Sequence, residues 1–369
     1  MAASDSVVGV GIFGTGLSAS QHLAGIAGTA NGRVVAIAGR SAEKAQALAN
    51  QWRIPRVYGG IEELVSDSNV EVVHTCVPPD MRLTVVEACA RAGKHVLIEK
   101  PMARTIAEAD EIIAVCDRAG ILLSALFQNR FTPLAKRLKQ AVDNDQLGRI
   151  LLVTLSAKWF RTAEYYIDSG WRGTADREGG AVLINQAIHS IDLLQWIMGP
   201  VAEISGMTAT TLHPIEMEDT GVAMLRFASG AIGSIVATTV AYPGFSDRLE
   251  IHGERGTAFL IQGEGRLEWH LRGEEARIET ASSQVSRGVS DPAATPSQGH
   301  SDQFTDFYAA IREGRPPSIT GRDGRHALEI VEAIYQSSRE GRPVKLPLQS
   351  ARRAHFADRF GKKAGWPNG

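Results

Sequence analysis

The residues that most constrain this chain are Gly14-Thr15-Gly16-Leu17-Ser18-Ala19. They follow "VVGVGIF" (Val7–Phe13), an apolar run of the kind buried in parallel sheets, and they open a helical stretch from about Ser18. A G-x-G-x-x-A pattern there implies a tight strand-to-helix turn. Gly14 permits the turn, Gly16 lets the backbone approach a pyrophosphate, and Ala19 keeps the helix close to the sheet. The helix N-terminus then faces the negative charge. The pattern predicts a dinucleotide-binding βαβ unit, and the sequence beyond it continues the alternation. "RVVAIAG" (Arg33–Gly39), "VEVVHTCV" (Val70–Val77), "HVLIEK" (His95–Lys100) and "LLSALFQ" (Leu122–Gln128) read as strands. Ser41–Trp52, with a serine N-cap, Met81–Gly93 and Thr105–Gly120 read as helices. A doubly wound parallel sheet is expected.

After Phe131 the texture changes. A helix over Pro133–Asn144 leads into longer alternating strands with few helices between them, which predicts an open, largely antiparallel sheet. At 369 residues the chain exceeds one ordinary core. The expected division is residues 1–128, an α/β Rossmann domain, and residues 129–369, an α+β substrate and assembly domain. Ser282–Gly299, rich in Ser, Pro and Gly, reads as a loop, and Ser301–Arg312 and Arg325–Glu340 as closing helices. The basic stretch after Ser350 reads as a solvated tail.

A net charge of −2 argues against nucleic acid or an anionic membrane as partner. Cys76, Cys89 and Cys116 lie far apart, so neither a disulfide framework nor a cysteine zinc site is expected, and no metal is assigned. No apolar run is long enough for a bilayer, and the N-terminus lacks the pattern of a secretion signal. The expectation is a reduced, cytoplasmic protein.

NAD-selective sheets usually end their second strand on an acid that meets the ribose 2′-hydroxyl. Here the stretch is Ala38-Gly39-Arg40-Ser41. Arg40 suits a 2′-phosphate and can stack on adenine, Ser41 can hydrogen-bond the phosphate, and Lys44 adds charge one turn on. The reading is NADP preferred over NAD. The plainer alternative makes Arg40 a surface residue and Ser41 only a helix cap.

Glu99-Lys100-Pro101 ends a predicted parallel strand, where open α/β sheets bind ligands. Together with the glycine turn, "AGKHVLIEKP", "QNRF" (Gln128–Phe131), "LGRI" (Leu147–Ile150), "WRG" (Trp171–Gly173) and "GGAVLINQAIHSIDLLQW" (Gly179–Trp196), it resembles the Gfo/Idh/MocA family, the glucose–fructose oxidoreductase and inositol dehydrogenase superfamily. The resemblance covers nearly the whole chain. It implies nicotinamide-dependent oxidation or reduction of a sugar, sugar derivative or polyol, and a homodimer or homotetramer built through the open sheet. It implies Lys100 and His189 as the reacting pair. His189 serves general acid–base chemistry near neutrality, and Lys100 donates a hydrogen bond to the alkoxide.

The resemblance further implies cofactor contacts at Phe13, Gly14, Thr15, Gly16, Leu17, Val77, Pro78, Glu99, Lys100, Trp171 and Arg172, beside Arg40, Ser41 and Lys44. Substrate contacts are expected from Asn129, Tyr165, Trp171, Arg172, Asn185 and Asp192. Asp192 either orients the imidazole or ties down a neighbouring strand. Asn185, four residues before His189, is read as sharing its helix face.

Three positions depart from the family's common pattern, one of them Ala187, where glycine is commonest. Arg82 replaces the usual histidine, and no contact is assigned to it. Asn185 stands where an acid is usual, which predicts a His189 poised as a neutral base. The texture around "WRG" and "NQAIHSIDLLQW" is similar to members acting on hexose derivatives, including nucleotide-sugar uronates oxidised at C3. Two other functions stay open here: NAD-dependent glycoside cleavage through transient oxidation and elimination, and dinucleotide sensing without catalysis.

Overall fold

The computed structural model describes residues 7–281 and 298–348. They form two units. The first comprises residues 7–103, 108–132 and 298–325, and the second residues 104–107, 133–281 and 326–348. A single boundary at 128/129 therefore does not describe the chain, which continues in the first unit to Thr132 and later returns to it.

In the first unit, β1 (Val8–Phe13), β2 (Gly32–Ala38), β3 (Val57–Tyr58), β4 (Val72–Thr75), β5 (His95–Ile98) and β6 (Leu123–Ala125) pair in parallel, in the order β3-β2-β1-β4-β5-β6. This is the doubly wound order expected of a Rossmann sheet. Helices α1 (Leu17–Ala27), α2 (Ala42–Trp52), α3 (Ile61–Ser66), α4 (Arg82–Arg91) and α5 (Ile106–Ala119) alternate with the strands. The six residues of β1 are buried throughout, which is why the strand reads as a continuous apolar run.

The returning segment carries α9 (Gln298–Glu313), one turn longer at its start than the sequence predicts. Its Phe304, Phe307 and Tyr308 are fully buried in one core with Val8, Val10, Ile12, Leu23 and Ile37. Each such ring contributes roughly 1.5–3 kcal/mol by burial, enough to bring a helix back from far along the chain. That apolar stripe is the physical reason for the departure from the expected boundary. Apart from Gln298 and Gly299, the predicted Ser282–Gly299 loop lies outside the described residues, as does the tail after Ser350.

In the second unit, β7 (Ile150–Lys158), β8 (Val201–Ala209), β9 (Thr220–Phe227), β10 (Ile232–Thr238), β11 (Arg248–Gly253), β12 (Gly256–Ile261), β13 (Arg266–Leu271), β14 (Arg277–Thr280) and β15 (Val344–Lys345) form one nine-stranded sheet. Its order is β14-β13-β12-β11-β7-β10-β9-β8-β15, and only β7 and β10 run parallel. α6 (Pro133–Asp143) precedes it, and α7 (Ala163–Ile167) and α8 (Ile188–Met198) follow β7. α10 (Gly321–Glu340) lays Ile334 on Gly206 of β8, where a side chain would not fit. Along β9 burial alternates, leaving Val222 and Met224 exposed on the opposite face. Among the described residues, no helix is long and apolar enough to cross a membrane.

Candidate active site

At the end of β1 the side chain of Phe13 is buried and the chain turns sharply. Gly14 has φ +126°, and a Cβ there would lie 2.1 Å from the Cys76 carbonyl oxygen. Glycine alone tolerates both constraints. Gly16 is the N-cap of α1 and lends it no side-chain cap, and a Cβ on it would meet nothing within 4 Å. The first amides of α1 thus open beside an exposed glycine, with Thr15 half-buried and Leu17 exposed. This geometry fits the pyrophosphate of a dinucleotide.

After β2, Gly39 passes so close to Thr15 that a Cβ would lie 2.8 Å from its Cγ2. Arg40 and Lys44 are exposed, while the Oγ of Ser41 accepts the Lys44 N–H at 3.3 Å and caps α2. The capping role that the sequence offered as the plainer reading of Ser41 is therefore real.

Beyond β4, Val77 is buried and Pro78 half-buried. Beyond β5 come buried Glu99 and half-buried Lys100, whose peptide bond to Pro101 is cis. Arg82, which the sequence left without a contact, holds both loops. The residue is 4% exposed, and its guanidinium donates to the carbonyls of Val77 (3.1 Å), Glu99 (2.6 Å) and Lys100 (3.3 Å). Burial raises the Glu99 carboxyl. The hydrogen bond from His22, with the charges of Lys100 and Arg82, outweighs that and holds it below the ordinary carboxylate range. Its Oε2 accepts the Lys100 N–H at 2.9 Å. Asn129 lies half-buried in a 3-10 turn (Gln128–Phe131) after β6, its carbonyl accepting the Thr132 hydroxyl at 2.8 Å.

In the second unit, the stretch around His189 is not one helix. Val182–Gln186 is a π-helical turn, and α8 begins only at Ile188. Asn185 and His189 are both half-buried, but the α-helical spacing used to put them on one face does not apply across that junction. Two buried carboxylates fix the turn. Glu218 accepts the N–H groups of Ala181 and Leu183 and the Tyr335 hydroxyl (2.8 Å). Burial raises its carboxyl to about 7 against these donors. Glu178, 1% exposed, accepts the side-chain amide of Asn185 and the Gly173 N–H. The acid missing from position 185 is thus present one contact away, which weakens the expectation of a neutral His189. Asp192 is buried on α8. Next to His189, Ser190 donates to buried Asp247, which also accepts the Trp159 ring N–H. Burial raises Asp247 to about 6.

Tyr165, Trp171 and Arg172 are half-buried together. The Arg172 guanidinium lies 4.2 Å from the centre of the Tyr165 ring and 5.1 Å from that of Trp171. Arg161 lies 5.2 Å from the Tyr165 ring and 4.9 Å from Trp159. Gln186 donates to the Tyr165 hydroxyl at 3.1 Å. The Nε of Arg172 is buried with no hydrogen-bond partner among the described residues. This is a cationic, aromatic-walled patch, suited to sugar C–H surfaces and to an acidic group.

Sequence reasoning singled out Arg82 without giving it a role, and missed Glu178, Glu218 and Asp247. Their one signal was charge within apolar surroundings, as in "REGGAVLI" and "IEMEDTGVAML". Among the described residues, no group of three His, Cys, Asp or Glu is placed to hold a metal ion.

Residues 8–127 match the model of an "Oxidoreductase family, NAD-binding Rossmann fold", and residues 139–346 that of an "Oxidoreductase family, C-terminal alpha/beta domain". Myo-inositol 2-dehydrogenase of Thermotoga maritima is 27% identical, over 91% of this chain and 98% of that protein. D-apiose dehydrogenase of Paraburkholderia graminis is 28% identical, over 91% of this chain and 88% of that protein. The WlbA dehydrogenase of Bordetella pertussis, solved with NADH and UDP-GlcNAcA, superposes with a TM-score of 0.83 at 30% identity, covering 94% of this chain and 99% of its own.

Proposed function

Because the chain belongs to the Gfo/Idh/MocA family of oxidoreductases, we propose that it is a nicotinamide-dependent dehydrogenase or reductase acting on a secondary alcohol or ketone of a sugar derivative. One observation carries this reading. The unit that holds the open glycine turn also ends β5 on Lys100, with the surrounding carbonyls tied to Arg82. When bound, the nicotinamide supplies the hydride acceptor or donor. Lys100 donates a hydrogen bond to the oxygen on the reacting carbon, and His189 accepts the hydroxyl proton in oxidation and returns it in reduction. Asn129, Asn185, Tyr165, Trp171 and Arg172 orient the sugar. The dinucleotide lies on Gly14–Leu17, Val77, Pro78 and Glu99.

The narrower substrate is an acidic sugar derivative, such as a nucleotide-sugar uronate, oxidised at C3. Two guanidinium groups on the Tyr165 ring support it, as does the relative that binds UDP-GlcNAcA. NADP(H) is preferred over NAD(H), because exposed Arg40 and Lys44 offer charge where no acid ends β2. The outer sheet face, with Met207 opposite Val222 and Met224 on the same strand, supports self-association there.

The test is a screen of nucleotide-sugar uronates, free uronates, neutral sugars and polyols with NAD and NADP, read by absorbance of the reduced nicotinamide. Turnover with uronates and NADP is expected. Turnover of neutral polyols alone would overturn the acidic substrate, and cleavage of a glycoside without net cofactor reduction would overturn the dehydrogenase.

A further inference from the structure

Behind Glu99 and Lys100 lies a buried line of polar groups that hydride transfer does not use. Glu99 Oε1 is 3.2 Å from His22 Nε2, His22 Nδ1 is 2.9 Å from His74 Nδ1, and His74 Nε2 is 3.0 Å from the Tyr308 hydroxyl. The four side chains come from α1, β4, the end of β5 and α9, and none is more than 5% exposed. Phe304 lies 5.2 Å from the His22 ring and 4.7 Å from His74, and the missing side chain of Gly32 makes room for the Tyr308 ring. Polar groups survive such apolar surroundings only when each proton finds an acceptor.

Counting protons gives the line a direction. Tyr308 donates to His74 Nε2, so His74 carries its proton on Nδ1 and donates to His22 Nδ1. His22 then carries its proton on Nε2 and donates to Glu99. Two imidazoles and a phenol end on one carboxylate. The reverse direction requires a protonated Glu99 and a second acceptor for Tyr308, and among the described residues His74 is the partner of that hydroxyl. Burial pushes the His74 imidazole well below its ordinary range and the Tyr308 phenol well above, so both stay neutral. The titratable and charged groups facing Glu99 are His22 from α1, Arg82 from α4, Lys100 beside it, and Cys76 after β4, a thiol that burial and Glu99 push well up. His300 of α9 borders the line, its ring 6.2 Å from His22.

We propose that His22, His74 and Tyr308 are positioning residues that hold Glu99 as a carboxylate on the Lys100 N–H, and that this buried anion keeps Lys100 in its ammonium form. Only the use of that ammonium as a donor to substrate rests on the function proposed above.

The experiment is competitive labelling of Lys100 with trace acetic anhydride across neutral to alkaline pH, in the full chain without substrate, read by peptide mass spectrometry. Glu99→Gln and His22→Leu are expected to raise Lys100 labelling at neutral pH about 10-fold, the equivalent of one pH unit in its midpoint. Tyr308→Phe, which keeps the ring, is expected to raise it about 3-fold, a fraction of that shift. His22→Gln retains a donor for Glu99 and is expected to restore wild-type labelling. A shift in Glu99→Gln with none in His22→Leu overturns the line's role, and no shift in either overturns the whole proposal. Should His22→Leu fail to fold, unshifted labelling in Tyr308→Phe is the overturning result. Labelling is read with no turnover, so it stands apart from the outcome of the sugar screen.

Discussion

The two regions proposed to carry the chemistry are anchored by side chains of opposite hydrogen-bonding sign, a donor in one and an acceptor in the other. In the first unit the buried cation Arg82 donates to the carbonyls of Val77, Glu99 and Lys100. In the second, the buried carboxyl of Glu218 accepts the amides of Ala181 and Leu183. The sign follows from the backbone. Loops leaving the ends of strands here have carbonyls to satisfy, whereas the start of a helix leaves N–H groups without partners. The consequence differs too, since a guanidinium does not titrate in the physiological range and a buried carboxyl does.

The hardest test of this comparison removes the groups that each region presents. Lys100→Ala and His189→Ala should each cost about 10³-fold or more in kcat/KM while sparing cofactor binding, measured by single-turnover absorbance and nicotinamide fluorescence. Near-normal single turnover in either would remove that region from the chemistry.

Removing the clamps comes next. Arg82→Leu should lose about 3–5 kcal/mol of stability in urea titrations, because buried carbonyls lose charged donors. It should also lower kcat through the displaced Lys100. Glu218→Leu should lose a similar amount while leaving dinucleotide affinity unchanged, and a weaker dinucleotide in that variant would contradict the division of labour.

Titration separates the two clamps. The folded-state carboxyl of Glu218 sits at about 7 against an ordinary 4.5, so the folded state holds its proton more tightly. The stability linked to it is full below about 4.5 and is lost as pH rises through about 7. Relative to Glu218→Gln, the wild type should lose ~3 kcal/mol over that window, read from urea midpoints. A parallel pH dependence in the two proteins would show that Glu218 does not set it.

Asn185→Asp places a second carboxylate against Glu178 and should lower kcat/KM about 10-fold, like charges raising one another's pKa. Improved activity would instead favour an acid at position 185. The smallest effect is expected at the surface. Arg40→Ala should weaken NADP(H) about 5-fold and NAD(H) hardly at all, as for one exposed charge. Equal changes in both affinities would refute the selectivity argument.

How much of this was legible depends on the range of the physics involved. The glycine turn, the Ser41 cap and the strand–helix alternation are set by backbone sterics and side-chain periodicity within a few residues, so they can be read from the chain directly. The doubly wound sheet followed from them. The break before α8 was not legible, because a π turn is held by the tertiary partner Glu218 and not by local preference. Arg82 looked like an unexplained substitution until the carbonyls it serves, up to 18 residues away, were brought to it. The buried line from Tyr308 to Glu99 lay furthest from view, its His74–Tyr308 contact joining residues 234 apart. A sequence by itself determines which groups want partners. Only the folded core, by excluding water, decides which partners they get and which of them stay charged.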